Sequence, residues 1–206
     1  NNTANSNFLH GISVSRSNGN LILGNNLNSN SNGLLLSGRS NIIDLNVVNS
    51  NLNSGALLIL TDFNKLRSNN IYRNGLEGIL ISLSSNNTVV DNNISFSGRN
   101  GVWINSSGNN IIDSNSVNYN SGYGVSLVLG SDYNNVTKNK VGGNTFVTIY
   151  EGEGNIGNLI EGNIEIFYPE YCRNGVHDFN EEGIDCGGSC PICQNNVRMI
   201  DNLELS

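Results

Sequence analysis

The chain has 206 residues, 17 acidic against 10 basic, a net charge of −7 and 37% apolar side chains. No basic stripe is present, which argues against a nucleic-acid partner, and no apolar run approaches the ~20 residues a membrane-spanning helix needs. Asparagine is the outlier at 43 residues, a composition that reads as disorder unless apolar residues are phased between the amides.

They are phased. The chain opens in mid-phrase: Asn2, Ala4 and Asn7 match Asn46, Val48 and Asn51 further on, so the first ten residues read as the tail of an earlier coil. An uncapped coil exposes strand-edge groups, so more chain upstream or a covering partner is expected at this end. A glycine then recurs as Gly11, Gly33, Gly55, Gly78, Gly101 and Gly124, at steps of 22, 22, 23, 23 and 23 residues. Behind each one the apolar residues alternate, as in Ile79/Ile81 and Val102/Ile104, which is the period of a strand and not of a helix. A second apolar pair spaced by five, such as Val89/Ile94 and Ile112/Val117, brackets an asparagine that recurs as Asn25, Asn46, Asn69, Asn92, Asn115, Asn139 and Asn163. Fixed periods of this length belong to stacked units that bury a core only together. Three short strands and three corners per turn make an all-β parallel β-helix of about seven to eight coils of 22–24 residues, stacked at ~4.8 Å.

The asparagines fit the corners. A corner often needs a left-handed residue, which Asn tolerates. Amides one coil apart can also bond in a continuous ladder that satisfies each buried group. This N-x-I-x-x-N-x-I/V-x-x-N phrase over residues 1–167 resembles the right-handed parallel β-helix proteins with carbohydrate-binding and sugar-hydrolase-type repeats. The resemblance implies the right hand of the helix. For function it implies only a wide field of lyases, hydrolases, epimerases, adhesins and surface proteins.

Glu165 stands at an inward position, and Ile166, Phe167 and Tyr168 precede Pro169. The β-helix is therefore expected to end at residue 168, followed by a cysteine-rich module at 169–194 and a tail at 195–206. Cys172, Cys186, Cys190 and Cys193 carry spacings of 13, 3 and 2 residues. An even count in a short acidic segment reads as two disulfides in an extracellular protein, with three pairings open; a four-cysteine zinc site is the rival. The stretch CRNGVHDFNEEGIDCGGSCPIC resembles a module of secreted bacterial and archaeal surface proteins, which implies an extracellular or cell-surface location. Within it, oxygen donors at Asp178, Asn180 and Glu182, the carbonyl of Ile184 beyond Gly183, and Asp185 suit a calcium loop. Ser189 stands where the usual closing glutamate belongs, and a solvated acidic loop is the alternative.

The outward positions of the glycine-led strand hold Ser13, Leu35, Leu57, Ile59, Leu80, Ser82, Trp103, Asn105, Ser126, Val128 and Tyr150, with no Asp, Glu, Lys, Arg or His. Paired carboxylates for acid–base work are missing where the resembled enzymes keep them. Elsewhere Arg67, Asp91 and Asp113 come from three successive coils at offsets that differ by one, so they are expected not to converge. The expectation is thus a non-enzymatic surface protein whose stripe of Leu35, Leu57, Ile59, Leu80, Trp103, Val128 and Tyr150 docks a protein subunit or a glycan. Two alternatives stand beside it. One is a fragment of a polysaccharide-active lyase, hydrolase or epimerase with its catalytic residues outside this chain; the other is a self-associating filament subunit.

Overall fold

The computed structural model describes residues 1–166, which form a right-handed parallel β-solenoid of about seven turns without a helix. Its strands make three parallel seven-stranded sheets. The first sheet holds the glycine-led strands, among them Asn32–Ser37, Ala56–Ile59, Ile79–Ser82, Val102–Asn105 and Val125–Val128. The second holds the short strands before the asparagine corner, such as Thr88–Val90 and Ile111–Asp113, and the third those after it, such as Asn93–Ser95 and Ser116–Asn118.

Every pairing keeps the sequence period, so like residues stack on like. Ile79 lies between Ala56 and Val102, Val89 between Leu66 and Ile112, and Ile94 between Ile71 and Val117. These ranks form one dry core in which Leu58, Ile81, Ile94, Ile104, Val117 and Val136 are fully buried. Burial of such side chains contributes roughly 1.5–3 kcal/mol each before the entropy of ordering is counted.

The repeating glycine is fixed by space. A Cβ at Gly101 would sit 2.2 Å from Val117 Cγ1, 2.7 Å from the Gly124 carbonyl and 2.8 Å from Asn120 Nδ2. The residue there must lack a side chain because the coil closes on itself at that corner.

The expected ladder is continuous. Asn25, Asn46, Asn69, Asn92, Asn115, Asn139 and Asn163 follow one another, each amide nitrogen donating to the next Oδ1 at 2.9–3.0 Å. Each Oδ1 also accepts the backbone N–H of the preceding asparagine, as from Asn69 to Asn92 at 2.9 Å. The left-handed residue is not the asparagine, however, but the one before it: Leu45, Ser68, Asp91, Ser114 and Lys138 have φ of 52–56°. The ladder asparagine turns its amide inward to replace a missing backbone partner, while its neighbour makes the bend.

Two further asparagine ladders stand at the other corners. One runs through Asn20, Asn41, Asn64, Asn87, Asn110, Asn134 and Asn158. The other links Asn7, Asn30, Asn51 and Asn74, is interrupted at Ser97, and resumes at Asn120 and Asn144. Hydroxyls make a fourth, in which the amides of Thr61, Ser84 and Ser107 donate to Ser84, Ser107 and Ser131 Oγ.

Candidate functional site

The seven residues of the expected stripe all project from the outer face of the first sheet and are half-buried by their neighbours. Register divides them into two ranks. Leu35, Leu57, Leu80 and Trp103 stand in one line that continues through Ser126 to Tyr150. Ile59 and Val128 belong to the next line, with Ser82 and Asn105 between them. The face is therefore an apolar row beside a mixed row, broken by Ser126.

Tyr123 enters from the corner before the sheet and stacks on Tyr150, with ring centroids 4.6 Å apart and planes 19° from parallel. Phe146 packs on Tyr123, with ring centroids 5.2 Å apart. Trp103 lies two strands from Tyr150 in register, on the order of 10 Å at normal strand spacing. Flat apolar rings with polar edges, set among Ser and Asn, suit the C–H faces and hydroxyls of sugar rings.

A feature missed in the sequence borders this face. Leu60, Leu83 and Leu129 follow the sheet directly, at φ of 50°, 50° and 56°, and are 70%, 58% and 72% exposed. A branched side chain in the left-handed region is strained, and water contact adds to its cost. The sequence signal was an apolar residue just past each strand, where the alternation rule assigned it no face.

Ionisable groups lie on both flanks. Glu77, at the lead-in corner three residues before Leu80, is only 2% exposed. Ser54 Oγ donates to its Oε2 at 3.2 Å, while Oε1 accepts no hydrogen bond and faces Arg99 Nη1 at 3.9 Å. On the exit side, Arg39 and Asp62 approach at 3.5 Å near the surface. The remaining charges behave as expected in not converging. Arg67 pairs with Asp44 through Nε and Nη2, at 2.9 and 2.7 Å, and Asp91 stands exposed. Asp113 accepts from Thr137 at 2.6 Å and Ser114 at 2.9 Å. The Thr137 hydroxyl above all holds the Asp113 carboxyl below its usual range, with help from Ser114 and the nearby Lys138 charge and against the opposing effect of burial.

Among the described residues no group of three or more His, Cys, Asp or Glu is arranged to hold a metal ion. The expected calcium ligands Asp178, Asn180, Glu182, Ile184 and Asp185 lie outside the described residues, as do Cys172, Cys186, Cys190 and Cys193. No helix among the described residues is long and apolar enough to cross a membrane.

The family model for the right-handed beta helix region matches residues 10–165. The chain belongs to this right-handed β-helix family. No curated protein matches its sequence. Solved structures share its coil stack. The periplasmic alginate epimerase AlgG superposes with a TM-score of 0.73 at 19% identity, over 80% of this chain and 44% of that one. The A-module of the Azotobacter vinelandii mannuronan C-5 epimerase AlgE6 gives 0.65 at 19%, over 80% and 56%. Pectate lyase Pel9A gives 0.57 at 12%, over 79% and 57%. At these identities the likeness is one of fold, and the chain spans about half the length of the proteins it matches.

These proteins overturn the expectation of a non-enzymatic surface platform. That expectation took uncharged outward ranks as a sign that the fold serves structure or binding without chemistry. Yet the same coil stack carries epimerases and a lyase acting on polysaccharides. The physical error lay in weighing one set of strand positions as though a β-helix could place reacting groups nowhere else. Corners such as the one bearing Glu77 and Arg99 border the same face.

Proposed function

We propose that this chain is the β-helical body of a polysaccharide-active enzyme of the lyase, epimerase or hydrolase type, working outside the cytoplasm. The polymer lies along the outer face of the first sheet. The observation that carries the reading is the row of Leu35, Leu57, Leu80 and Trp103, continued in register to the Tyr123–Tyr150 stack. An uncharged row on a regular spacing of about 4.8 Å gives an extended chain of sugars repeated apolar footholds. The enzymes with the same coil stack support the polysaccharide class, and the periplasmic one among them supports the extracytoplasmic setting.

In this reading the outward ranks bind, since they carry no carboxylate, amine, guanidinium or imidazole and Tyr150 alone among them has an acidic proton. Of the flanking carboxylates, Glu77 has an oxygen without a hydrogen bond, 3.9 Å from Arg99, but it is buried and so supports the corner rather than meeting the sugar. Proton abstraction or donation needs such a group within reach of the sugar ring, in the manner of general acid–base catalysis.

The test is turnover. The purified chain is incubated with alginate, pectate and neutral glucans. Products are followed by the absorbance of unsaturated ends, by reducing ends and by proton NMR for inversion at C-5. The reading requires conversion of at least one polymer and its loss in Trp103→Ala. Intact polymers throughout, with no binding to any of them, would overturn it.

A further inference from the structure

The second sheet carries a groove on its outer face, away from the ranks assigned to the polymer. It has a volume of about 460 Å³ and is lined by Asn135, Thr137, Lys138, Leu159, Glu161 and Gly162. Register explains the convergence: Asn135 pairs with Leu159, and Thr137 with Glu161. At Gly162, with φ of +63°, an added Cβ would meet only Lys138 Cγ and N, at 3.9 and 4.0 Å. The preceding coils hold Asp91, Ser114 and Lys138 at this corner position, so the missing side chain opens the space beside Lys138.

The bonding in this groove differs from that of the charges three to five coils earlier. There Asp44 and Arg67 neutralise each other at 2.7 Å. Here Lys138 and Glu161 are both exposed and neither joins an ion pair among the described residues. Thr137 is nine-tenths buried and commits its hydroxyl proton to Asp113, leaving its oxygen as a fixed acceptor. The Asn135 side-chain oxygen is buried and has no hydrogen-bond partner. That oxygen is free where the neighbouring ladder residues Asn134 and Asn139 are bonded through both side-chain atoms. Leu159, 45% exposed, forms an apolar wall.

We propose that this groove is a binding site for a hydroxylated carboxylate, of the chemical class of a single uronic acid residue. The ligand's carboxylate meets the Lys138 ammonium. Its hydroxyls donate to the Glu161 carboxylate and, with a turn of the amide, to Asn135. A C–H face of the ring rests on Leu159. Glu161 selects against phosphate and sulfate, because a compact anion held at Lys138 brings its remaining negative charge against a like charge and offers no C–H face to Leu159. A neutral sugar satisfies the acceptors and leaves Lys138 without a partner. The site neither needs nor uses the first-sheet face.

The test is calorimetric titration of the Trp103→Ala protein, in which first-sheet binding is suppressed, with galacturonate trimer, maltotriose and inorganic phosphate. The acidic trimer is expected to bind at least tenfold more tightly than maltotriose, and phosphate no better than maltotriose. Lys138→Gln and Glu161→Gln, each exposed and outside the core, should weaken the trimer about tenfold while leaving the melting temperature within a degree or two. Equal affinity for acidic and neutral trimers, no binding of either, or unchanged affinity in both variants would overturn the site. Polymer turnover by the unmodified protein is independent of that result, so failure here and failure of the polymer-binding reading remain separable.

Discussion

Replacing Asn92 by Leu tests the force that holds the coils in register. Asn92 Oδ1 accepts both the backbone N–H and the side-chain amide of Asn69, at 2.9 Å each. Its own amide nitrogen donates to Asn115 Oδ1 and to the carbonyls of Leu66 and Val90, all at 3.0 Å. Leucine has the same branched arrangement of side-chain heavy atoms with bulkier methyl ends, and removes all five contacts. The Asn69 side chain keeps its bond to the Ile43 carbonyl, but its backbone N–H is left buried without an acceptor. One orphaned donor costs about 1–3 kcal/mol, and each exchanged bond about 1 kcal/mol, partly offset by the apolar gain of leucine. The net expectation is a loss of about 3 kcal/mol. Asn92→Ser, which copies the break that Ser97 makes in a neighbouring ladder, should lose about 1–2 kcal/mol. Because stacked repeats need not unfold all at once, the melting curve is read together with hydrogen exchange at the Asn69 amide. Protection should fall there first. If Asn92→Leu melts and exchanges like Ser121→Ala, a change at an exposed hydroxyl, the ladder does not hold the register.

Four further outcomes follow from the same structure. Ser97 interrupts a ladder and its hydroxyl oxygen has no partner, so Ser97→Asn should restore the bonds between Asn74 and Asn120 and stabilise by about 1 kcal/mol in denaturant unfolding. Gly101→Ala forces a methyl against Val117 and the Gly124 carbonyl and should destabilise by about 3 kcal/mol, read by thermal melting. Asp113 has its pKa lowered mainly by the Thr137 hydroxyl, so its contribution to stability is present above the unfolded-state carboxylate pKa and fades as pH falls through the folded value. Thr137→Val should therefore lower the melting temperature near neutral pH and lose that effect in strong acid. Leu57→Ser with Leu80→Ser should leave the melting temperature nearly unchanged, since both side chains point away from the core, while reducing polysaccharide binding severalfold.

The coil was open to reading because its physics is local and repeated. Two inward apolar positions on each first-sheet strand, one on each shorter strand, and the buried amides at the corners write themselves into the sequence every 22–24 residues. The glycine was visible for the same reason, though its cause, a corner without room for a Cβ, appears only when Val117 and Asn120 are seen against Gly101. What period-two reasoning could not assign were residues at the bends. Leu60, Leu83 and Leu129 sit where the backbone is left-handed and the side chain belongs to neither face. Glu77 falls on no repeating position, yet it is buried against Ser54 and Arg99. The Thr137–Lys138–Glu161 groove joins residues 24 apart whose meeting depends on the register of the last coils. Chemistry in this fold gathers where the periodicity lapses, and that is where pattern reading has least purchase.

The central claim is that a polysaccharide lies on the first-sheet face beside Trp103, the single tryptophan of the chain. Its fluorescence, titrated with alginate, pectate and neutral glucan oligomers, tests that claim directly. The account predicts a saturable shift with at least one polymer, abolished when Leu57 and Leu80 are both replaced by Ser. A spectrum that stays constant through millimolar oligomer of every class would contradict it.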